Sequence, residues 1–377
     1  MPIIHPFKGL RYNPKKVGSL ARVVTPPYDV ISPEGRRAYY RAHPCNFIRV
    51  VYGKARDPYS EAKTSLTRWV RSGILKRDEE PAVYPYEQAY RLKGKFHRRL
   101  GVIALVRIDS KIYPHEHTFG GPKRDRLRLM KRVDASLDPI FGLVPDAAGR
   151  YRRVLERSIL GRKPAASFRF QGVRHRLWRI SDPAWIGKLQ RAVRSKDLVI
   201  ADGHHRFEAA RAYREERKRN DPFYTSGASY NFVMFYLSAA GADEPGLLPT
   251  HRLVKVSPPA RIEIEWLRPG IIEKRLDGQA KVFYTQDLEW ACEQVRSGQA
   301  QALVVMPPPR LRDVLRRARA GCRMPRKTTY FYPKLLSGLV EYPFETLKGS
   351  GTFVQAHLRP GTKVPDPFSH FSPRKRV

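Results

Sequence analysis

The segment best suited to chemistry joins a short apolar run to the start of a helix. Leu198-Val199-Ile200 has the pattern of a buried strand, and a helix is predicted from about His205 to Arg217. Between them lies the turn Asp202-Gly203-His204-His205-Arg206. A helix N-terminus presents unpaired N–H groups and the positive end of the helix dipole. Both suit a phosphate group.

Each residue type in this turn has a use in such a site. Gly203 lets the backbone approach a ligand closely. His204, His205 and Arg206 add hydrogen-bond donors, and Arg206 can hold a phosphate through two bonds. Asp202 is expected either to cap the helix or to bind Mg²⁺. The alternative is structural: a capped helix with exposed imidazoles.

A second polar segment, Pro114-His115-Glu116-His117-Thr118, directly follows a predicted buried strand. In an extended backbone, His115 and His117 face one cleft and Glu116 faces the opposite side. A glycine-rich basic run comes next, in which Lys123, Arg124 and Arg126 could close over an anion. A zinc site would need a third ligand, and none stands at a standard spacing. The alternative is a solvated polar turn.

A third segment, from Val24 to Glu34, carries Tyr28 and Asp29 behind two prolines. Ser32-Pro33-Glu34 is a good N-cap and first turn for a helix. Asp29 is either a catalytic or metal-binding carboxylate or an Asx-turn residue, and the sequence favours neither. The chain has no GxxxxGK[ST] loop, no GxGxxG after a strand, no GxSxG elbow and no HExxH, so the enzyme classes built on those motifs are unsupported.

Several further elements are needed to position these segments. The predicted strands are Asn46–Tyr52, Ala82–Tyr86, Leu100–Arg107, Tyr230–Leu237, Lys281–Tyr284 and Ala302–Met306. The predicted helices are Glu61–Leu75, Arg124–Val133 and Asp287–Ser297. The last helix and its flanking strands form a small β-α-β unit. The fold class is therefore α+β, with mixed sheets and flanking helices.

Length and composition fit a folded, multidomain protein. The 377 residues allow two or three domains, and 41% hydrophobic with 11% aromatic residues argues against global disorder. No apolar run reaches the ~18 residues of a membrane-spanning helix. The N-terminus lacks the apolar region of a signal peptide. Three widely spaced cysteines suggest neither a disulfide framework nor a zinc site. We expect a cytoplasmic protein without a membrane partner.

The charge of the chain is its most unusual property. Lys and Arg total 72 against 35 Asp and Glu, a formal net charge of +37. Such a surface attracts polyanions, including nucleic acid and phosphorylated metabolites, although a general basic bias would look the same. Basic residues crowd the segment 151–180, which is either a nucleic-acid groove or a half-buried β segment. Its aromatic residues available for stacking are Tyr151, Phe168, Phe170 and Trp178.

The sequence as a whole resembles the bacterial DUF1015 family, a domain named as one of unknown function. The matching pieces are HPFKGLRYNP, TPPYDVISPE, HPCNFIRV, the PHEHT segment through DPIFGL, LVIADGHHRFEAARAYREE, YNFVMFYL with LLPTHRLV, and MPRKTTYFYPKLLSGLV. They span residues 5 to about 342. We expect a main region over 1–255, a smaller C-terminal α/β region of the same family over 256–345, and a basic tail over 346–377.

The DGHHR turn is also similar to the phosphate-binding box of the ParB/sulfiredoxin-like superfamily, which includes kinases of free L-serine. That resemblance implies a core of this superfamily's fold, with Asp202 to Arg206 around nucleotide phosphates and Asp202, His204 and His205 at the reaction centre. It implies ATP or ADP and Mg²⁺ as cofactors, with Asp202 as the metal ligand. Sulfiredoxin chemistry is disfavoured because His204 stands where its cysteine would be. The kinases' glutamate base has no match here, so Glu116 and Asp29 are the candidates.

These observations predict a nucleotide-dependent phosphotransferase acting on a small hydroxyl metabolite, with free L-serine as one candidate. Gly203 to Arg206, with Arg124 and Arg126, would bind phosphate. His115, Thr118 and Tyr28 would contact the substrate. The DGHHR turn and the PHEHT segment should meet in one cleft. The alternative is a ParB-like protein that binds nucleic acid or senses a nucleotide without turnover.

Overall fold

The computed structural model of the chain describes residues 4–118, 120–241, 246–256 and 280–344. The helices are α1 Pro14–Val17, α2 Pro33–Ala42, α3 Ile48–Val51, α4 Pro58–Arg71, α5 Gly120–Val133, α6 Arg150–Ile159, α7 Pro183–Val193, α8 His204–Asn220, α9 Leu288–Arg296 and α10 Leu311–Arg319. A short 3₁₀ helix covers Tyr28–Val30.

The strands belong to one large sheet, one small three-stranded sheet and three two-stranded sheets. They are β1 Ile4–His5, β2 Leu10–Tyr12, β3 Leu75–Arg77, β4 Tyr84–Leu92, β5 Lys95–Arg107, β6 Ile112–Pro114, β7 Ala135–Ser136, β8 Ile140–Pro145, β9 Ala166–Phe170, β10 Val173–Leu177, β11 Leu198–Asp202, β12 Phe232–Ala240, β13 Leu247–Leu248, β14 His251–Val256, β15 Ala280–Thr285, β16 Ala302–Val304, β17 Tyr330–Phe331 and β18 Tyr342–Pro343.

The large sheet runs in the order β6-β11-β8-β12-β5-β4-β10-β9, and β1 also pairs with β5. The pairs β6–β11 and β8–β12 are parallel, whereas the other pairs are antiparallel. The small sheet has the order β15-β14-β16, with β14 antiparallel to both neighbours. The predicted mixed-sheet α+β class is confirmed. The small unit is the predicted β-α-β unit of β15, α9 and β16, with β14 inserted between its two strands.

The large sheet is covered on both faces because its central strands alternate two apolar sets. In β5, Val102, Ala104 and Val106 pack toward α6 and α7. The intervening Ile103 and Leu105 pack into a second cluster with α10 and with residues 331–344. Strand residues point alternately to the two faces, so a continuous apolar run marks a strand covered on both sides.

The C-terminal part of the described chain returns to the large sheet after it has formed the small one. Strand β17 pairs with β13, and β18 pairs with β7. Residues from Phe331 to Phe344 contribute side chains to the core of the large sheet. The division predicted at residue 255 stays a prediction. The predicted tail over 346–377 lies outside the described residues.

One predicted strand is wrong. Within Asn46–Tyr52, residues Ile48–Val51 form the short helix α3. The Asn46 side-chain oxygen accepts the Ile48 N–H at 2.9 Å, which fixes the start of the turn. Phe47, Val50 and Val51 then pack in one core cluster beside α4. Their i, i+3, i+4 spacing fits one helical face, so tertiary packing overrides the β propensity of the run.

Three of the four aromatic residues of the basic segment 151–180 that were expected to be available for stacking are engaged within the fold; Phe170 is the fourth. Tyr151 and Trp178 are buried, and the Trp178 Nε1–H donates to the Arg162 carbonyl at 2.9 Å. The Phe168 ring is stacked on the buried His175. These rings are therefore occupied inside the fold. Within the described residues, no helix is both long enough and apolar enough to span a membrane.

Candidate functional site

A cavity of about 680 Å³ opens where the end of β11, the Tyr28–Val30 turn, strand β15 and the segment before β17 come together. This volume is in the range of sites that hold small molecules and cofactors. Its lining residues are Tyr28, Asp29, Val30, Ile31, Ser32, Glu116, His117, Asp202, Gly203, His204, His205, Arg206, Thr250, Val282, Phe283, Tyr284, Gln286, Arg326, Lys327, Thr329, Tyr330 and Lys334. As predicted, the DGHHR turn and the PHEHT segment line one cavity.

The DGHHR turn owes its shape to Gly203. This residue is the N-cap of α8, has a φ of 92° and makes no side-chain capping bond. A Cβ atom at this position would lie 3.0 Å from the Arg206 guanidinium as well as in a strained conformation. The first N–H groups of an α-helix have no partner within the helix. The turn therefore presents a helix N-terminus at the cavity wall.

Asp202 is the anionic centre of this wall. Its two carboxylate oxygens lie 2.6 Å from Lys334 Nζ and 2.9 Å from Arg206 Nη2. Burial by itself would raise the pKa of Asp202, but the charges of Lys334 and Arg206 hold that pKa well below its usual range. Asp202 is therefore a fixed negative charge that orients two cations at the cavity.

His115, His204 and Thr329 form a buried layer at the cavity, in which His204 and Thr329 line the wall and His115 lies behind them. The backbone N–H of His115 donates to His204 Nε2 at 3.3 Å. The His115 Nδ1–H donates to the Ile200 carbonyl at 2.6 Å, which leaves Nε2 as an acceptor for the Thr329 hydroxyl at 2.8 Å. Burial lowers the pKa of His115 to about 4, and it lowers the pKa of His204 as well. Both imidazoles are therefore neutral at physiological pH.

Glu116 sits at the edge of this layer. Its side chain is 12% exposed, and its carboxyl accepts the Thr328 N–H at 3.2 Å. The Thr329 hydroxyl oxygen lies 3.3 Å from Glu116 Oε2. Burial raises the pKa of Glu116 to about 7, although Lys327 and the Thr328 N–H partly oppose this shift. Glu116 can therefore either take up or release a proton near neutral pH.

The hydroxyl of Thr329 joins Glu116 to the buried histidine. Because neutral His115 presents only a lone pair at Nε2, the Thr329 hydrogen is directed to it. The Thr329 oxygen is then left to accept a hydrogen bond from the protonated form of Glu116. This chain of Glu116, Thr329 and His115 favours the protonated carboxyl, in keeping with its raised pKa.

The part of the chain that carries the DGHHR turn and the PHEHT segment matches a known family. The family model described as "Protein of unknown function (DUF1015)" matches residues 4–267. The chain belongs to the DUF1015 family. A comparison with curated proteins finds no match.

Solved structures with some likeness to this DUF1015 protein are distant. A free serine kinase in complex with AMP is 12% identical, with 63% of this chain and 91% of the kinase covered and a TM-score of 0.34. A conserved hypothetical protein from Pyrococcus furiosus is 11% identical, with 62% and 93% covered and a TM-score of 0.33. C-terminally truncated SbnI from Staphylococcus aureus is 14% identical, with 66% and 90% covered and a TM-score of 0.31. At these TM-scores the likeness is loose, so the site of the DUF1015 protein is argued from its own residues.

Most of the predicted site residues of this DUF1015 protein lie at the cavity. They are Tyr28, Asp29, Glu116, Asp202, Gly203, His204, His205 and Arg206. Asp29 reaches Lys327 Nζ at 3.6 Å across the opening. The orientation expected in the PHEHT segment holds for His117 but is wrong for His115 and Glu116. Glu116 and His117 line the cavity, and His115 is fully buried behind it.

Three predicted contacts with a ligand are not supported by the positions of the side chains. The Thr118 hydroxyl donates to Glu208 at 2.7 Å, away from the cavity lining. Arg124 is exposed on α5. Arg126 is buried, with its guanidinium 3.8 Å from the centre of the Tyr28 ring. Arg126 therefore supports the cavity wall through Tyr28 rather than touching a ligand.

Asp202 does not fit the predicted role of Mg²⁺ ligand in this DUF1015 protein. Both of its oxygens already meet cationic side chains. A hard divalent cation needs several oxygen ligands. Across the described residues, no group of three or more His, Cys, Asp or Glu side chains could hold a metal ion. The turn is built to attract anions rather than to hold a cation.

The sequence reasoning missed the cationic segment before and after β17. Arg326, Lys327 and Lys334 line the cavity together with Tyr330, whose ring lies 4.4 Å from Lys334 Nζ. The signal was present, because RKTTYFYPK is a basic and aromatic run inside a segment that resembles the family. The small sheet also contributes residues at the opening, among them Phe283 and Tyr284 of β15.

Proposed function

We propose that this DUF1015 protein is a nucleotide-dependent phosphotransferase that acts on a small hydroxyl metabolite. The observation that carries the proposal is the position of Glu116. A carboxyl whose pKa is raised to about 7 lines the same cavity as four cationic side chains and a helix N-terminus. Phosphoryl transfer needs charge neutralisation and positioning more than covalent chemistry. This cavity offers both next to a base.

The phosphate groups of the nucleotide would bind at the DGHHR turn. Arg206 and Lys334 are only 13% and 11% exposed, so their charges are weakly screened by solvent. Lys327 lies at the opening, where it also reaches Asp29. The N–H groups at the start of α8 complete an anion site. The resemblance of this turn to the box of the free-serine kinases agrees with that role.

Glu116 would act as the general base. The acceptor hydroxyl gives its proton to the Glu116 carboxylate while its oxygen forms a bond to the terminal phosphorus. The bond from that phosphorus to the bridging oxygen breaks, and its electron pair leaves with the shortened nucleotide. A base works best when its pKa lies near the operating pH, and the raised pKa of Glu116 meets that requirement.

A free hydroxy amino acid suits the opening of this cavity. Such an acceptor carries an ammonium and a carboxylate beside its hydroxyl. Asp29 and Lys327 offer both complementary charges at the opening. We therefore name free L-serine as the first acceptor to test.

The test is to incubate the purified protein with free hydroxy amino acids and Mg²⁺ with either ATP or ADP, and to look for phosphoserine by mass spectrometry. Arg206→Ala should abolish the product. Arg214→Ala is a matched control, because Arg214 lies on the same helix, is 14% exposed, pairs with Asp109 and does not line the cavity. Melting temperatures of both variants separate a lost site from a lost fold. Nucleotide binding without any phosphorylated product would favour a sensor instead.

A second candidate function, nucleic-acid binding, is favoured by a cationic groove beside α2. This groove of about 470 Å³ is lined by Pro33, Arg36, Arg37, Tyr40, Arg41, Arg49 and Lys54. The Arg49 guanidinium and Lys54 Nζ lie 4.3 and 4.8 Å from the centre of the Tyr40 ring. The binding of DNA and RNA should be titrated with salt. An affinity that falls steeply with salt for every nucleic-acid sequence, and less steeply in the double variant Arg36→Ala/Arg41→Ala, would support nucleic-acid binding.

A further inference from the structure

A second cavity, of about 350 Å³, adjoins the cavity of about 680 Å³ that the DGHHR turn lines, which we call the charged cavity. Five residues line both cavities, so the two are adjacent; they are Val30, Ile31, Ser32, Tyr330 and Lys334. The remaining lining residues are Pro26, Gly35, Tyr39, Phe170, Gln171, Val173, His175, Tyr332, Pro333 and Leu336. Cationic side chains line the charged cavity, whereas aromatic side chains line this one. We call it the aromatic cavity.

The rings of the aromatic cavity are held in place. The Tyr39 and Phe170 rings are stacked, with centroids 6.3 Å apart and planes at 26°. His175 is 2% exposed and lies between the Phe168 and Tyr86 rings, at interplanar angles of 17° and 16°. Burial lowers the pKa of His175 to about 4, so this ring is neutral. The lining therefore suits a flat, uncharged group.

Polar groups stand beside these rings. The Gln171 amide donates to the Tyr39 hydroxyl at 3.0 Å. That bond leaves the Tyr39 O–H as a donor and the Gln171 carbonyl as an acceptor. Lys334 lies where the two cavities meet. A ligand that fills both cavities would have a planar group with polar edges at one end and an anionic group at the other.

The hairpin between β9 and β10 fixes this wall before any ligand arrives. Its two turn residues, Gln171 and Gly172, have φ values of 47° and 76°. Two positive φ angles in a two-residue loop are typical of a type I′ turn, which matches the twist of the flanking strands. Phe170 and Gln171 therefore belong to a rigid hairpin, and a preformed wall lowers the entropy lost on binding.

We propose that the aromatic cavity is the nucleobase subsite of this protein, and that the charged cavity takes the attached phosphates. This inference rests on the proposed function and adds the position and chemistry of the base. Nucleobases stack on aromatic side chains and carry donors and acceptors on their edges. The purine or pyrimidine lies against Phe170 and Tyr39, with Gln171 at its edge. The phosphates pass Lys334 to reach the DGHHR turn.

The test compares a ligand with a base to one without. ADP and inorganic pyrophosphate are titrated calorimetrically into the full-length protein and into Phe170→Ala and Tyr39→Ala. Each variant should bind ADP ~10-fold or more weakly, because a stacking partner is lost. Pyrophosphate has no base, so its affinity should stay within about twofold of its affinity for the unmodified protein. That is about the variation expected from a change at a distant, independent site. Phe96→Ala is the matched control, since Phe96 is a 62% exposed aromatic on the same sheet, outside both cavities.

The outcomes separate this inference from the function on which it rests. If the unmodified protein binds ADP and both cavity variants bind it equally well, the base lies elsewhere and the phosphotransferase proposal survives. Equal losses of ADP and pyrophosphate affinity would also exclude a base subsite. If neither ligand binds the unmodified protein, both proposals are wrong. Melting temperatures distinguish a lost subsite from a lost fold. Tyr39 is half-buried on the helix α2, so we expect Tyr39→Ala to disturb the core less than Phe170→Ala does.

Discussion

Glu116 and Glu341 both have pKa values that burial raises, but they stand in very different places. Glu116 lines a cavity of about 680 Å³ and is hydrogen-bonded to the segment that carries Thr328 and Thr329. Glu341 is fully buried in the backbone ladder that joins residue 341 to Leu10. Neither of its carboxyl oxygens has a hydrogen-bond partner. Burial, and then the nearby Asp138, raise the pKa of Glu341.

The difference shows that a shifted pKa alone does not identify a catalytic group. Burial penalises the charged form wherever it occurs. What sets Glu116 apart is access to a cavity and a neighbouring hydroxyl with which to exchange a proton. Glu341 has neither, so its ionisation affects only stability.

The largest expected effect is on turnover. Glu116→Gln should lower the rate of phosphoryl transfer by ~10²–10⁴-fold, because the amide cannot accept the substrate proton. Binding of the nucleotide should stay nearly unchanged, and calorimetry would check it. Glu341→Gln serves as the second buried control and should retain full turnover. Full activity in Glu116→Gln would remove Glu116 as the base and leave Asp29.

The second effect is on stability and concerns Glu341. Its pKa is higher in the folded than in the unfolded state, so the folded state loses stability as the pH rises from about 4.5. Glu341→Gln cannot ionise, and at pH 8 it should be more stable than the unmodified protein by ~1–3 kcal/mol, because each pH unit between the pKa values of the unfolded and folded states is worth ~1.4 kcal/mol. At pH 4 the difference should be small. Thermal melts at both pH values check this, and an advantage that does not change with pH would contradict it.

The third effect is the pH dependence of turnover. A base with a pKa of about 7 is half protonated at that pH. The value of kcat/KM should therefore rise with pH through 7 and fall ~10-fold for each unit below about 6. Initial rates between pH 5.5 and 8.5 would show this limb. A flat profile across that range would mean that another group takes the proton.

The smallest expected effect comes from the hydroxyl between Glu116 and His115. Thr329→Val keeps the shape of the side chain and removes the acceptor that favours protonated Glu116. We expect the limb of the pH profile to move below 7, with less than a ~10-fold change in kcat, roughly the worth of one neutral hydrogen bond. The same pH–rate measurement checks it. A limb that moves upward would show that Thr329 donates to the Glu116 carboxylate instead.

The sequence predicted those parts of the site whose residues are close together along the chain. The strand, glycine turn and helix at 198–220 follow from an apolar run, a glycine and a helical pattern. The same reasoning failed for α3, because its four residues are stabilised more by packing one helical face against the core than they would be in a strand. It also misplaced His115 and Glu116, because the hydrogen bonds that hold His115 in its buried position come from Ile200 and Thr329. Lys327, Thr329 and Lys334 were missed because they lie more than 120 residues after the DGHHR turn.

The return of the C-terminal segment to the large sheet sets the order in which the protein gains its site during synthesis. The Gln88 amide donates to the Lys334 carbonyl at 2.9 Å, and Lys334 in turn neutralises Asp202. The ribosome makes Gln88, Glu116 and the DGHHR turn long before Lys334. A nascent chain that ends before residue 328 therefore holds Asp202 with Arg206 but without Lys334. It also holds Glu116 without its contacts to Thr328 and Thr329. The wall of the cavity is therefore complete only once the chain has been made as far as Lys334.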